Sequence, residues 1–484
     1  VKAREKCGVL GVYTTGENVF PSLYWGMLAQ NHRGHQSHGF AVYNGDIEYY
    51  TELGLIPPMK EPGRDSRVKI LEGGIGIANV RYTTSGSSDV DSLNRDAMPI
   101  KVSSKNRCLA LSFNGNIVNV RELQQLVSVD DSYSDTHALA QLLLNKLEET
   151  QSLSEAVRSC MNAIDGAFSI TGILDDGTLF AFKDPVGVKP LCYGFKDGVY
   201  AFSSESTGLD INGIEWQREV RPGELMVVKD GRLIQEQIVN SNKQAFCAFE
   251  FAYFSRPDSK VNGRFVYEAR RGFGAALAKV YKDIAGRCDA VISLPETAND
   301  AAYGFHEESG LPWEMATRRH RYVSQRAFIT ESEERTRVIY RKVNILKSQI
   351  VGKRLAVVDD SIVRGDTTRG IVKRLREAGA REVHLFITYP KIIGPCFYGI
   401  DMSSYSELIG ARLTDVEIAQ ELDADSVNYL PIEEYIRETG MHHRQLCLGC
   451  ITGEYPTPLA NEIAEKNSSF LAQDGAEQGR IYET

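Results

Sequence analysis

Short apolar runs closed by turn residues dominate the front of the chain. Lys6–Tyr13 predicts a strand that opens on Cys7, and Gly74-Ile75-Gly76-Ile77 predicts a second that runs into Val80-Arg81-Tyr82-Thr83-Thr84. Leu109-Ala110-Leu111-Ser112 predicts a third, and Phe113-Asn114-Gly115-Asn116 after it reads as a turn, because Asn-Gly is above all a hairpin signal. Ser134-Asp135-Thr136 stands where a cap would precede a helix over His137–Leu147. Ser152–Ile164 has helical spacing, Phe168–Leu174 and Thr178–Phe182 are strand-like, and Asp184–Leu191 reads as a turn. From 265 onward helix and strand signals alternate, which predicts a parallel sheet with right-handed crossovers. Asp289–Leu294 is a strand and Ala298–Glu308 its helix; Leu355–Val358 is a buried strand, followed by a helix from Arg369, apolar at Ile371, Val372, Leu375 and Ala378, that stops at Gly379. The polar stretch from 236 gives way to an aromatic one, Cys247–Ser259, and the boundary between the halves is expected here.

Composition narrows the classes. A chain of 484 residues, 42% hydrophobic and 25% charged, can build two or three domains with substantial cores. A net charge of −9 speaks against a general nucleic-acid surface. No apolar run approaches the ~18 residues of a membrane span. Nine scattered cysteines lack the density of a disulfide scaffold, so a cytoplasmic protein with reduced thiols is expected.

The candidate chemistry of the back half starts at the strand Leu355–Val358. Asp359 and Asp360 follow it directly, then Ser361, Arg364 and Gly365 in a turn, then Thr367 and Thr368 before the helix. Backbone N–H groups and the helix dipole at such a place favour a phosphate. Paired carboxylates accept from ribose hydroxyls or bind Mg²⁺. The loop Pro295-Glu296-Thr297 ends the preceding strand, and ligands of parallel sheets bind beyond the carboxyl ends of strands, so both loops should face one crevice. Arg318–Lys342, rich in Arg and Lys, is a candidate basic lid.

The string Asp359-Asp360-Ser361-Ile362-Val363-Arg364-Gly365 resembles the phosphoribosylpyrophosphate (PRPP) motif of type I phosphoribosyltransferases, in the version found in glutamine PRPP amidotransferases. In order and spacing, Cys7, His32-Arg33-Gly34, Val80–Thr84, Phe113–Asn116, Ser134–Thr136 and Arg221–Glu224 resemble the class II glutamine amidotransferase domain. The resemblance spans about residues 7–458. It implies an α+β N-terminal-nucleophile hydrolase, an αββα sandwich, followed by an α/β type I phosphoribosyltransferase domain. The expected organisation is a propeptide at 1–6, the amidotransferase domain at 7–235, an inter-domain segment at 236–264, the transferase at 265–435 and a C-terminal segment at 436–484, loosely packed beyond Pro458.

The roles it implies are these. Cys7 attacks the glutamine amide, with its own α-amino group as base once residues 1–6 are removed. Asn114 and the Gly115 N–H bind the oxyanion, and Arg33 lines the nucleophile. Arg81, Thr84, Gly34 and Asp135 bind glutamine. Glu296, Thr297, Asp359, Asp360, Ser361, Arg364, Gly365, Thr367 and Thr368 bind PRPP, with Mg²⁺ near Thr297, Asp359 and Asp360. By itself Cys447-Leu448-Gly449-Cys450 could be a zinc or redox pair. With Cys247 and Cys396 it matches the subgroup that carries a [4Fe–4S] cluster, zinc remaining the competitor; Cys108, Cys160, Cys192 and Cys288 read as core. Three positions depart from the family: Asp366 where threonine is usual, and Asn79 and Phe113 where histidine is common.

The expected reaction converts PRPP, glutamine and water to 5-phosphoribosylamine, glutamate and pyrophosphate, opening purine synthesis. Homo-oligomers and feedback by purine nucleotides are expected with it. The alternatives are a non-catalytic sensor of PRPP or nucleotides, and an ammonia-dependent phosphoribosyltransferase with an impaired glutaminase domain.

Overall fold

Two antiparallel sheets lie face to face in the front half of the computed structural model, which describes residues 7–58, 69–82, 89–241, 243–319, 343–402 and 404–471. The first runs in the order Trp216–Glu219, Cys192–Lys196, Val199–Ser203, Cys7–Tyr13, Ile75–Arg81, Ser37–Tyr43, Ile47–Leu53. The second runs Arg232–Gln237, Glu224–Lys229, Leu179–Lys183, Gly166–Leu174, Cys108–Ile117, Ile100–Ser103. Val9, Ile77 and Phe202 of the first sheet meet Ala110, Ile173, Ala181 and Met226 of the second in a dry layer. Helix Phe20–Ala29 covers the outer face of the first sheet, over Leu10, Val12 and Val80. Helices Val120–Val127, Asp135–Thr150 and Leu153–Ala163 cover the second, over Leu109, Leu111 and Phe168. This is the αββα sandwich. Covered on both faces, the central strand Cys7–Tyr13 is buried at every position, which is why its sequence runs apolar without alternation.

The back half is built on a parallel sheet ordered Ala290–Ser293, Arg354–Asp359, Glu382–Ile387, Ser426–Tyr429. One face packs on helix Asp366–Glu377 through Val357, Leu385, Ile371 and Leu375. The other packs on helices Val266–Val280 and Asn299–Ser309 through Val291, Phe386, Phe273 and Phe305.

Several sequence expectations need correction. Asn114-Gly115 is no turn: the strand Cys108–Ile117 runs straight through it, with Asn114 opposite Ser169 and Gly115 opposite Phe168. A hairpin signal gives way here because ladder bonds to a buried neighbouring strand outweigh local turn preference. The helix expected from His137 begins at Asp135, and the one expected from Arg369 begins at Asp366, so Asp135 and Asp366 are first-turn acids rather than loop residues. Pro458–Leu471 is a helix with Ala460 and Ala464 buried, not a loose segment. Cys108 is only half-buried, packing at the edge of the inter-sheet core and accepting from Ser103 Oγ at 3.2 Å. Residues 1–6, Thr84, most of the basic stretch (320–342) and the end of the chain (472–484) lie outside the described residues. The two ends of the basic stretch pair as a ribbon, Thr317–Arg319 against Val343–Ile345.

Candidate active site

Alternation along a strand decides which side chains enter the layer between the sheets. Val9 enters it, so Cys7, two residues earlier, projects to the same side, and its side chain is buried. Arg81 is the register partner of Cys7 and Asn79 that of Val9, so both share that side too. Gly34 lies directly on this strand: a Cβ there would sit 2.4 Å from Arg81 N and 2.6 Å from Val80 O, so any side chain would push the two segments apart. On the opposite sheet Ala110 faces the layer, and by the same period so do Ser112 and Asn114.

Asn114 is fully buried, and neither its Oδ1 nor its Nδ2 has a hydrogen-bond partner among the described residues. Leaving such an amide unsatisfied costs about 1–3 kcal/mol per group, which folding alone does not explain. Asn79 gives its Nδ2 to Phe113 O at 3.3 Å, and Phe113 turns away into the helix-side core beside Phe168. The two departures from the family are therefore a strand-to-strand tie and a core ring. Asp135 accepts from Ile117 N at 3.3 Å and Thr136 N at 2.8 Å.

Arg81 pairs with Asp96 at 3.7 Å, a partner that sequence reasoning missed. Burial raises the Asp96 carboxyl above its usual range although Arg81 and Arg95 pull it down. His137, 3.7 Å from Asp96, is lowered to about 4 by burial and then by Arg81 and Arg95. Arg33 reaches Cys7 O with Nε at 3.3 Å and is clasped by Glu205 and Glu250, also missed. Burial works to raise Glu205, but His32 and Arg33 beside it and the Ser259 hydroxyl hold it well below the usual carboxylate range. A signal for Glu250 existed: it is a single charge inside Cys247–Phe254, and a charge in an apolar run implies a buried partner.

In the back half the two expected loops meet. Ala290–Ser293 and Arg354–Asp359 are adjacent and parallel, and Leu294 N donates to Val358 O at 2.9 Å, so both loops leave the same sheet edge. Thr297 Oγ1 donates to Asp360 Oδ2, Ser361 Oγ to Asp360 Oδ1 at 2.8 Å, and Asp360 N to Asp359 Oδ1 at 2.9 Å. Asp359, Asp360 and Ser361 are buried, whereas Glu296 is exposed, 3.8 Å from Arg319. Gly365, at φ +86, turns the chain into the helix, whose first turn holds Asp366, Thr367 and Thr368. Arg364 is engaged by Glu407 at 2.8 Å. Thr297, Asp359 and Asp360 offer only oxygen, a donor set that fits Mg²⁺.

Cys247, Cys396, Cys447 and Cys450 line one pocket, with Val188, Lys189, Tyr398 and Tyr455. Cys247 pairs in register with Cys447 in a short parallel ribbon, and Tyr389 Oη lies 3.1 Å from Cys450 Sγ. Burial pushes the thiols of Cys247, Cys447 and Cys450 well up. Among the described residues no three His, Cys, Asp or Glu side chains are grouped as ligands of one ion. Among them, too, no helix is long and apolar enough to cross a membrane.

Known proteins match this arrangement along nearly its whole length. A family model described as a glutamine amidotransferase domain matches residues 87–210. The amidophosphoribosyltransferase of Methanocaldococcus jannaschii is 37% identical over 474 residues, covering 94% of this chain and 98% of its own. That of Pyrococcus horikoshii is 39% identical over 458 residues, covering 94% and 97%. The structure of glutamine PRPP amidotransferase from B. subtilis complexed with ADP and GMP superposes with a TM-score of 0.84 at 33% identity, covering 94% of this chain and 98% of that one.

Proposed function

The chain belongs to the amidophosphoribosyltransferase family, and from that premise we propose how its residues divide the work. The reaction converts PRPP, glutamine and water to 5-phosphoribosylamine, glutamate and pyrophosphate, the first step of purine synthesis; neither a sensor nor a solely ammonia-dependent enzyme is favoured by relatives of this kind. The observation that carries the assignment is that one chain joins the buried Cys7–Arg81–Asn114 layer to the Thr297–Asp360 carboxylate loop.

In the front half, release of residues 1–6 frees the Cys7 α-amino group, which takes the thiol proton. Sγ attacks the glutamine side-chain carbonyl, and Asn114 with the Gly115 N–H receives the oxyanion, which supplies the unpartnered amide with its missing acceptor. The C–N bond breaks, ammonia leaves with the proton, and water hydrolyses the thioester to glutamate. Arg81 and Asp135 hold the carboxylate and ammonium of glutamine, and Gly34 and Thr84 complete the set of glutamine-binding residues. In the back half Asp359 and Asp360 take the ribose hydroxyls, and the Gly365–Thr368 turn takes the 5′-phosphate. Glu296, Thr297, Ser361 and Arg364 border the pyrophosphate side. Ammonia then attacks C1 of the ribose as the bond to pyrophosphate breaks. Thr297, Asp359 and Asp360 would hold Mg²⁺, which would neutralise charge on the departing pyrophosphate.

The four cysteines hold a [4Fe–4S] cluster in this reading. Four thiols lining one pocket would supply the all-sulfur ligand set such a cluster takes, and zinc remains the competitor for the same donors. Purine nucleotides are the expected feedback ligands, supported by the ADP and GMP in the B. subtilis relative; a cytoplasmic homo-oligomer is expected as well.

Amide-¹⁵N glutamine and PRPP test the reading together. The expected result is one labelled phosphoribosylamine per pyrophosphate and per glutamate. Glutamate and pyrophosphate released with no label on the ribose would overturn it.

A further inference from the structure

Arg33 is a fully enclosed cation held by two carboxylates that come from distant parts of the chain. Nη1 meets Glu205 Oε1 at 2.5 Å, and the Nη2–Nη1 fork meets Glu250 at 2.7 and 3.2 Å. Its Nε reaches Cys7 O at 3.3 Å. We propose that Glu250, which belongs to the segment joining the halves and not to the sandwich, is a positioning residue for glutamine hydrolysis. It holds the Arg33 fork flat, so that Nε stays on the backbone of Cys7. This deepens the assignment of Cys7 as nucleophile and rests on it.

The geometry gives Glu250 this role over Glu205. Glu205 takes one nitrogen of the guanidinium, and its other oxygen is occupied by Ser259 Oγ at 2.5 Å and Arg256 N at 2.9 Å. One contact leaves a planar fork free to turn about it; the two-pronged contact to Glu250 fixes the plane. Glu250 is itself fixed. Its Oε2 accepts from Ser255 Oγ at 2.6 Å, and it opens the π-helical turn Glu250–Phe254. Buried Arg270, on helix Val266–Val280, grips that turn through Phe251 O at 2.8 Å and Ser255 O at 2.7 Å. The placement of Cys7 thus depends on a side chain anchored from the transferase half. A misplacement of about 1 Å at a reacting group can cost on the order of 10²-fold in rate, so a loosened Arg33 would be felt in turnover.

Because Arg33 touches the backbone of Cys7, Glu250→Gln should act on kcat. The isosteric variant, in the full-length mature enzyme, is expected to lower the glutamine kcat by about tenfold or more. KM for glutamine and ammonia-dependent synthesis should stay within about twofold of the parent, the second reporting that the fold and the transferase site are intact. Glu250→Asp, which restores the charge, should recover part of the loss, and Ser255→Ala should give a smaller loss of the same kind. An unchanged glutamine kcat, a change confined to KM, or a parallel loss of both activities would each overturn the proposal. Cys7→Ala separates the two claims. If it retains glutamine-dependent turnover, the nucleophile assignment fails; if it is inactive with glutamine while Glu250→Gln behaves as the parent, only the positioning role fails.

Discussion

The two halves assemble their sites by opposite means. In the sandwich, Cys7, Arg81 and Asn114 sit inside or at the ends of strands, far apart in sequence, and only register and alternation along two sheets turn them toward the same side. In the transferase half, Pro295–Thr297 and Asp359–Thr368 are short loops at the carboxyl ends of two neighbouring parallel strands, and each carries its chemistry in consecutive residues. The first site is a property of the whole sandwich, while the second is written almost entirely in two loops. Ionic chemistry follows the same division. The front site buries guanidinium groups between carboxylates, Arg33 with Glu205 and Glu250 and Arg81 with Asp96. The back site gives Asp360 the hydroxyls of Thr297 and Ser361.

The comparison breaks most sharply on the nitrogen source. Cys7→Ala should lower glutamine-dependent synthesis by about 10⁴-fold or more and leave ammonia-dependent synthesis within about twofold. Asp360→Asn should lower both by about 10³-fold, since it lies on the step they share. Assay of both nitrogen sources on each variant checks this; equal loss from Cys7→Ala would mean that the halves do not divide the chemistry. Asn114→Ala comes next, at about 10²–10³-fold in glutamine kcat. Because the parent amide is unpartnered, the variant should melt no lower than the parent, an unusual outcome for a buried polar deletion. A lower melting temperature would show that Asn114 holds the sheet and not a ligand.

The same contrast explains what could be read before the fold was known. Asp359–Thr368 and Pro295–Thr297 were legible as a crevice because strand, loop and helix follow each other in sequence, and their distance from one another is set by a single pair of strands. Cys7, Asn114 and Arg81 are singled out through family resemblance alone; nothing in the local pattern of Phe113–Asn116 announces a central strand, and its Asn-Gly points to a turn. Asp96 and Glu205 escaped because each is an unremarked acid in a polar stretch, and only tertiary packing places it against an arginine. The cysteine quartet lay between these extremes: Cys447 and Cys450 are local, but Cys247 joins them through a two-residue ribbon that no periodicity predicts.

Acid should separate the halves more gently. His137, lowered to about 4 chiefly by burial, stays neutral in the folded sandwich where the unfolded chain would take a proton below about 6.5. The fold therefore keeps the full contribution above pH 6.5 and loses it as pH falls toward 4, with about 2 kcal/mol gone by pH 5. His137→Gln should flatten this part of the profile for the front half while the transferase half melts as before. Thermal melts at pH 7 and pH 5 check it, and an unchanged difference between those two pH values would remove His137 as the cause.

The smallest effect is expected at Asp366. Its carboxylate is exposed in the first turn of helix Asp366–Glu377, where an acid favours the helix by about 0.3–1 kcal/mol. The proposed site for the 5′-phosphate is the same helix end, so one residue would help the empty site and oppose the filled one. Exposure decides the size of the conflict: water and salt screen a surface charge, leaving about 1 kcal/mol against a bound phosphate. Asp366→Thr should therefore tighten PRPP by only about threefold to tenfold, lower the melting temperature slightly, and lose its advantage as ionic strength rises. Measuring PRPP KM for parent and variant at low and high salt checks all three at once. A KM that does not move at low salt would place the carboxylate away from the phosphate, and the helix end would then tolerate an acid without any conflict.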